Sequence, residues 1–277
     1  RDQSGPVGTL PRPGEGAVSK SWFLAGDIWS PVLRDVVSRW GFSITEDPDQ
    51  ANIHVSLIVD PAALPVPNDA GLSARNLDER FRVQVSGWSP LLIELTVAPE
   101  RGARAGLNAI RRGLLYGQWP EPGTQFARFA QRGILEGFYG PPWSHAERLD
   151  MVDFLADHDF NLFVLAPKDE ASQRWDWRSQ LGETDRSRIT EITAKARANG
   201  IDIMCCVSPG LSIRYSDPVD RQLLVDRMLG FYSCGVTRMG LLLDDIPSEL
   251  QFDEDRQAYS SIAQAHGALA SHLAQAL

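Results

Sequence analysis

Four apolar runs, separated by stretches with helical patterning, constrain this chain most. They are GILEGFYG (133–140), NLFVLAPKD (161–169), IDIMCCVSPG (201–210) and RMGLLLDDI (238–246). Each is nearly uniform in apolar residues, as parallel strands covered on both sides must be. Between them, SHAERLDMVDFLADHD (144–159) reads as a helix. Ser144 caps it, Glu147 completes a capping box, and Leu149, Val152, Phe154 and Leu155 form its apolar face. DRSRITEITAKARANG (185–200) is a helix stopped by Gly200, and DPVDRQLLVDRMLGFYSCG (217–235) is another. Residues 256–277 read as one Ala-rich helix. Right-handed strand-helix-strand crossovers turn such a series into a doubly wound sheet or a (β/α)8 barrel.

No Gly-x-Gly-x-x-Gly follows the first run, which disfavours a dinucleotide-binding sheet. The runs end in Gly137-Phe138-Tyr139-Gly140, Pro167-Lys168-Asp169, Ser208-Pro209-Gly210 and Asp244-Asp245. Catalytic groups of barrel enzymes sit at the C-terminal ends of strands. The pattern therefore predicts an α/β fold with the first four strand-helix units of a TIM-type barrel over 132–277. A closed barrel typically needs about 250 residues. The other half is expected on further polypeptide or on a second chain, as a second half-barrel or a homodimer.

Upstream, residues 1–20 are rich in Gly, Pro and Ser and read as a loose arm. Residues 21–125 read as a small α/β domain. PVLRDVVSRW (31–40) is a helix with Pro31 in its first turn; ANIHVSLIVD (51–60), ERFRVQVSG (79–87) and LLIELTVAP (91–99) are strands, the last two joined by a turn near Trp88-Ser89-Pro90; RGARAGLNAIRRGLLYGQW (101–119) is the closing helix.

Among the 277 residues, 43% are hydrophobic and 23% charged, as in ordinary globular proteins. No apolar run approaches the roughly 18–20 residues of a membrane span, and a net charge of −9 argues against a nucleic-acid surface. Cys205, Cys206 and Cys234 make no disulfide framework; the first two sit in an apolar run as small hydrophobes. Without Cys-x-x-Cys or His-Glu-x-x-His, neither metal nor cofactor is expected. The chain begins at Arg1 and shows no signal peptide, which suggests processing or excision from something longer. A cytoplasmic setting is slightly favoured over a secreted one.

Asp244 and Asp245 are the main chemical signal. At a strand end, neighbouring side chains diverge, so the two carboxylates can reach different atoms of one ligand. Two acids this close cannot both ionise freely, so one is expected to keep its proton, as a general acid requires. Ordinary retaining glycosidases place two carboxyls about 5 Å apart across the sugar. Neighbours on one strand better suit the substrate-assisted variant, in which the 2-acetamido oxygen attacks the anomeric carbon. Taken alone, the doublet equally suits capping of the next helix or Mg²⁺ binding. Lys168 could be a lysine snorkelling from a buried strand. Tyr139, Trp143, Trp175 and Trp177 could stack on sugar or simply pack, and Gly137 and Gly140 are ordinary turn residues.

The segment RGILEGFYGPPWSHAERLDMVDFLADHDFNLFVLAPKDE resembles the opening of the catalytic barrel of family 84 glycoside hydrolases. These are β-N-acetylglucosaminidases, including O-GlcNAc hydrolases and hyaluronidase-labelled relatives. EGFYG (136–140), APKD (166–169), SPGL (208–211) and LLLDDI (241–246) occur in that family's order, and the upstream segment is similar to the small α/β domain preceding such barrels. The resemblance implies that Asp244 polarises the acetamido group and Asp245 is the general acid/base. It also implies that Lys168 binds sugar hydroxyls, that Gly137 contacts the sugar through its backbone, and that Tyr139 is a further substrate-binding candidate. It implies an N-acetylglucosamine-containing glycan or glycoprotein as substrate. The chain departs from the family at Glu170-Ala171-Ser172-Gln173-Arg174, where a Lys-Asp-Asp and Tyr-His-Arg-like segment is usual, and it lacks the pocket residues of strands five to eight. The rival expectation is a catalytically incomplete carbohydrate-binding or interaction protein built on a partial barrel. An Mg²⁺-dependent phosphoryl enzyme is disfavoured, because no phosphate-cradling glycine loop is present.

Overall fold

The computed structural model describes residues 21–25, 29–66, 71–98 and 100–277. The expected N-terminal arm, 1–20, lies outside the described residues. The chain divides into two compact units, 1–130 and 131–277.

The first unit contains β1 (Ser21–Ala25), α1 (Pro31–Arg39), β2 (Ser43–Thr45), β3 (Ile53–Val59), α2 (Ala74–Asp78), β4 (Phe81–Trp88), β5 (Leu91–Val97) and α3 (Glu100–Tyr116). Its sheet runs β2-β1-β3-β5-β4, with only the β4–β5 hairpin antiparallel. The strands expected over 51–60, 79–87 and 91–99 are present. β1, β2 and α2 were not legible, being only three to five residues long, too short for a periodic pattern to declare itself. Register puts Trp22, Ile53 and Leu91 side by side, then Leu24, Val55 and Ile93, on one face. That face packs against Leu33 and Val37 of α1 and Leu107 and Ile110 of α3.

The second unit contains β6 (Gly133–Glu136), α4 (His145–Asp157), β7 (Leu162–Leu165), α5 (Glu183–Ala198), β8 (Asp202–Val207), α6 (Pro218–Ser233), β9 (Arg238–Leu241), α7 (Asp253–Ala258) and α8 (Ile262–Ala276). Its sheet is parallel, and spatial order follows chain order, β6-β7-β8-β9. The Ser144–Glu147 capping box is formed in both directions. Gly200 follows α5 at φ +70, a left-handed stop that suits glycine. The single helix expected over 256–277 is two, because Tyr259 is extended and Ser261 opens α8 by accepting from the Gln264 amide. The inner stripe of α4 is Val152, Leu155 and Ala156; Phe154 points outward and stacks on His158 at 4.2 Å.

Alternation splits this sheet into unlike faces. Phe163, Leu165, Ile203, Cys205 and Val207 form one core with residues from α4, α5, α6 and α8, joined by the half-buried Ile134, Met239 and Leu241. Both Cys205 and Cys206 are buried, and burial pushes the Cys206 thiol up to about 11. The opposite face carries Leu135, Leu162, Val164 and Met204. Among the described residues of this unit, no helix covers them within the core: Leu135 is 54% exposed and the other three are half-buried. Among the described residues of this unit, helices thus cover the uniformly apolar strands on one face only. The outer edges of β6 and β9 pair with no other strand among the described residues.

Candidate active site

Because the four strands of the second unit are parallel, their C-terminal ends lie along one edge of the sheet. The ladder carries on past the strands: the Ala166 amide donates to the Glu136 carbonyl at 3.0 Å, Lys168 to Phe138 at 3.2 Å, and Leu242 to Val207 at 2.9 Å. These bonds align the segments after β6, β7 and β9. They bring together Tyr139, Lys168, Asp244 and Asp245, four of the five residues singled out from the sequence.

Lys168 is at the centre. Only 6% of it is exposed. Its Nζ donates to Asp244 Oδ2 at 2.5 Å and lies 3.4 Å from Asp245 Oδ2. The hydroxyl of Tyr139 donates to the same Asp245 oxygen at 2.8 Å. Both aspartates are about half exposed, as is Tyr139. The lysine is therefore no snorkelling surface charge; its ammonium is turned in to the acid pair.

Two expectations about the doublet need correction. β9 ends at Leu241, so the aspartates lie beyond the regular strand. Asp245 takes the left-handed conformation, φ +53, which Asp tolerates better than most residues. Strand alternation no longer applies at that point, and both carboxylates meet the same ammonium instead of diverging. Nor does Asp245 hold a proton to higher pH. The Tyr139 hydroxyl first, opposed by burial, and then Lys168 and Arg174 keep its carboxyl below the ordinary carboxylate value. Two acids with cations between them do not behave as two acids alone. Burial disfavours the Lys168 ammonium, but Asp244 and then Asp245 outweigh it and raise its pKa.

The surroundings are braced. Asp169 does not pair with Lys168; it accepts the Gly140 amide at 2.8 Å, and Gly140 holds φ +99, a turn that requires glycine. Gly137 adjoins this edge, and a Cβ there would run into the Leu135 side chain, at 1.9 Å from Cδ2. Glu136, fully buried, takes two hydrogen bonds from Arg148 at 2.7 and 2.8 Å and one from the Trp143 amide. The same arginine reaches Glu170 at 3.2 Å, tying the loops after β6 and β7. Of the three tryptophans, Trp177 is buried and bonded to Ser212, and Trp143 packs between Phe138 and Phe163. Trp175 alone is largely exposed.

The beta-N-acetylglucosaminidase family model matches residues 132–277, more than half of the chain and all four strands of this sheet. The chain belongs to the beta-N-acetylglucosaminidase family. Among curated relatives, the protein O-GlcNAcase of Rattus norvegicus is 30% identical over 158 residues, covering 56% of this chain and 17% of that protein. The Mus musculus protein O-GlcNAcase is 29% identical over 145 residues, covering 52% and 16%. The chain thus spans less than a fifth of the length of these relatives. A Thermobaculum terrenum O-GlcNAc hydrolase mutant superposes with a TM-score of 0.52 at 37% identity, covering 53% of this chain and 32% of that one. CpGH84B superposes with a TM-score of 0.59 over 82% of this chain and 41% of that one; at 22% identity it speaks for the fold alone.

Within this beta-N-acetylglucosaminidase segment, the sequence reading passed over Gln173 and Arg174, which follow β7 where the chain departs from the familiar motif. Both are buried. With its amide nitrogen turned to the Leu165 and Cys206 carbonyls, at 3.0 and 3.1 Å, Gln173 ties β7 to β8. Arg174 lies against Tyr139. A buried polar residue in a non-periodic loop has no pattern by which to be found; only the departure from the family's motif at 170–174 pointed there. Among the described residues, no group of three His, Cys, Asp or Glu side chains could hold a metal ion, and no helix is long and apolar enough to cross a membrane.

Proposed function

We propose that this chain supplies the acid/base part of a β-N-acetylglucosaminidase that removes β-linked N-acetylglucosamine from a glycan or glycoprotein by a retaining, substrate-assisted mechanism. The observation that carries the reading is the meeting of Asp244, Asp245 and Lys168 at the C-terminal edge of a parallel sheet, within the segment that matches the family. Asp244 accepts the acetamido N–H and turns the acetamido oxygen toward the anomeric carbon. That oxygen forms a bond to the carbon as the glycosidic bond breaks, and Asp245 gives its proton to the leaving oxygen. An oxazoline results. Asp245, now a carboxylate, takes a proton from water, which opens the oxazoline at the same carbon and restores the β configuration.

The low pKa of Asp245 fits the second step as it stands. For the first, sugar hydroxyls that engage the Lys168 ammonium weaken its hold on Asp245, and the bound sugar displaces water from the carboxyl. Both changes favour the protonated form. Gly137 lines the sugar with backbone alone.

The sheet is read as the first half of a (β/α)8 barrel, preceded by a small α/β domain over 21–125. Its strands run in chain order and its helices share one face, which is single winding; a doubly wound sheet has helices on both. The apolar face of Leu135, Val164 and Met204 is then barrel interior, covered by a second half or by a second copy of the chain. This open face also supports the alternative of a non-hydrolytic carbohydrate-binding or interaction protein.

Two measurements on the complete protein test the proposal. Aryl β-N-acetylglucosaminide should be cleaved with the β-anomer formed first, and the rate should fall with each fluorine added to the acetyl group. Cleavage insensitive to fluorination would refute acetamido participation, and binding without cleavage would favour the alternative.

A further inference from the structure

Arg174 is the one buried cation beside the acid pair that the proposed chemistry leaves unused. It is 5% exposed, and its Nε has no hydrogen-bond partner. No ion pair to it forms within the described residues. Burying a guanidinium without an answering carboxylate is costly, so its charge must be answered nearby. Its Cζ lies 5.3 Å from the Tyr139 ring and 5.2 Å from the Trp175 ring. Its Nη1 donates to the Tyr139 hydroxyl at 3.4 Å, and that hydroxyl donates to Asp245 Oδ2 at 2.8 Å. A donor that itself receives a hydrogen bond from a cation becomes a better donor.

The charges close as a set. Asp244 and Asp245 are two anions, and Lys168 alone neutralises one of them. Arg174 supplies the second positive charge, one hydroxyl away from Asp245. Asp169, the next acid in the loop, is held by the Gly140 amide. Glu170 is engaged by Arg148. The groups facing Asp245 are therefore Tyr139 from the loop after β6, Lys168 and Arg174 from the loop after β7, and Asp244 on its own segment.

We infer that Arg174 is a positioning residue, acting through the Tyr139 hydroxyl to hold the Asp245 carboxyl in place and to keep it anionic while the site is empty. Tyr139 then serves Asp245, and its hydroxyl is committed before any sugar arrives. The left-handed backbone of Asp245 gives the tether a purpose: the side chain on so unusual a turn is fixed from both sides, by Tyr139 and by Lys168. The chemical consequence rests on the function proposed above; the coupling of Arg174 to Asp245 does not.

The test is a carboxyl titration of the 277-residue chain by ¹³C NMR with labelled aspartate, Asp245 being assigned from the Asp245→Asn spectrum. Tyr139→Phe removes one exposed hydroxyl and leaves the fold unchanged; the Asp245 midpoint should move up. Arg174→Met should move it up as well, and Arg174→Lys should restore part of the shift. Combined with Tyr139→Phe, Arg174→Met should add less than it does alone. An Asp245 midpoint unmoved by Tyr139→Phe, or one that responds to Arg174→Met and Tyr139→Phe in full addition, would overturn the inference. Should Arg174→Met fail to fold, Tyr139→Phe and Arg174→Lys still decide it. Failure here with turnover intact in the complete protein would count against Arg174 alone; an unmoved inference with no turnover would count against the proposed activity alone.

Discussion

The two sheets solve the same problem differently. Each packs one apolar face against helices. In the N-terminal unit the other face carries His54, Ser56, Arg82, Gln84, Glu94 and Thr96, with Ile58 and Leu92 partly exposed among them. Most of that face meets water, with Thr96 buried. In the C-terminal unit the corresponding face carries Leu135, Leu162, Val164 and Met204. It is built to be covered, and its strands lead at one end to a cluster of charged side chains. On the same face an ion pair of Asp202 with Arg238 sits at the N-terminal ends of β8 and β9, while Lys168, Asp244 and Asp245 gather past the C-terminal ends.

Core substitutions should affect the two sheets alike. Phe163→Ala in the second unit and Ile93→Ala in the first should cost about 3–5 and about 2–5 kcal/mol respectively in urea unfolding. A loss well below this for Phe163→Ala would mean that the helix-covered face is not the real core. Next in size is the pair of buried Asp220 and half-buried Arg178, joined by two bonds of 2.7 Å. Burial opposes the Asp220 charge, but Arg178 and the Arg214 amide outweigh it and lower its pKa from 3.8. A depressed native value contributes stability above the unfolded value and loses it as pH falls through the native one. Stability of the second unit should therefore drop below about pH 4. Asp220→Asn should flatten that acid limb and cost about 1.5–3 kcal/mol near neutrality, the loss of charge-assisted bonds to an Arg178 that water still reaches. An unchanged acid limb would dismiss the pair.

The open faces should differ most clearly in association. Leu135→Ser should barely alter unfolding of the isolated chain, yet reduce any self-association seen by sedimentation velocity, because it removes apolar area from the exposed face. At the smallest end, Ser56→Ala on the polar face of the first sheet should change stability by less than about 0.5 kcal/mol and association not at all. Equal effects of the two substitutions would erase the contrast between the sheets.

Much of this was readable in the residues. Uniform apolar runs gave all four strands of the second sheet, and Ser144 with Glu147 marked the start of α4. Lys168 and the Asp244-Asp245 doublet stood out because charge directly after a buried run demands a reason. What stayed hidden depended on distance in the chain. Nothing local says that Tyr139 reaches Asp245 or that Lys168 answers both acids, so a doublet read as two carboxylates alone points to a retained proton, whereas Asp245 is held below the ordinary carboxylate value. β1 was missed because five residues are too few to establish a period, and the break at Tyr259–Ser261 because the Ala-rich pattern continues through it. Arg174 has no pattern at all: it is a charged residue in a loop, and only its burial makes it notable.

The central claim is that Asp244 and Asp245 share the work on one N-acetyl sugar. The direct measurement is kcat for aryl β-N-acetylglucosaminide with Asp244→Asn and Asp245→Asn in the complete protein. The account predicts losses of about 10²–10⁴-fold for Asp245→Asn, and a comparable loss for Asp244→Asn. Turnover like that of the unsubstituted protein in either variant would contradict it.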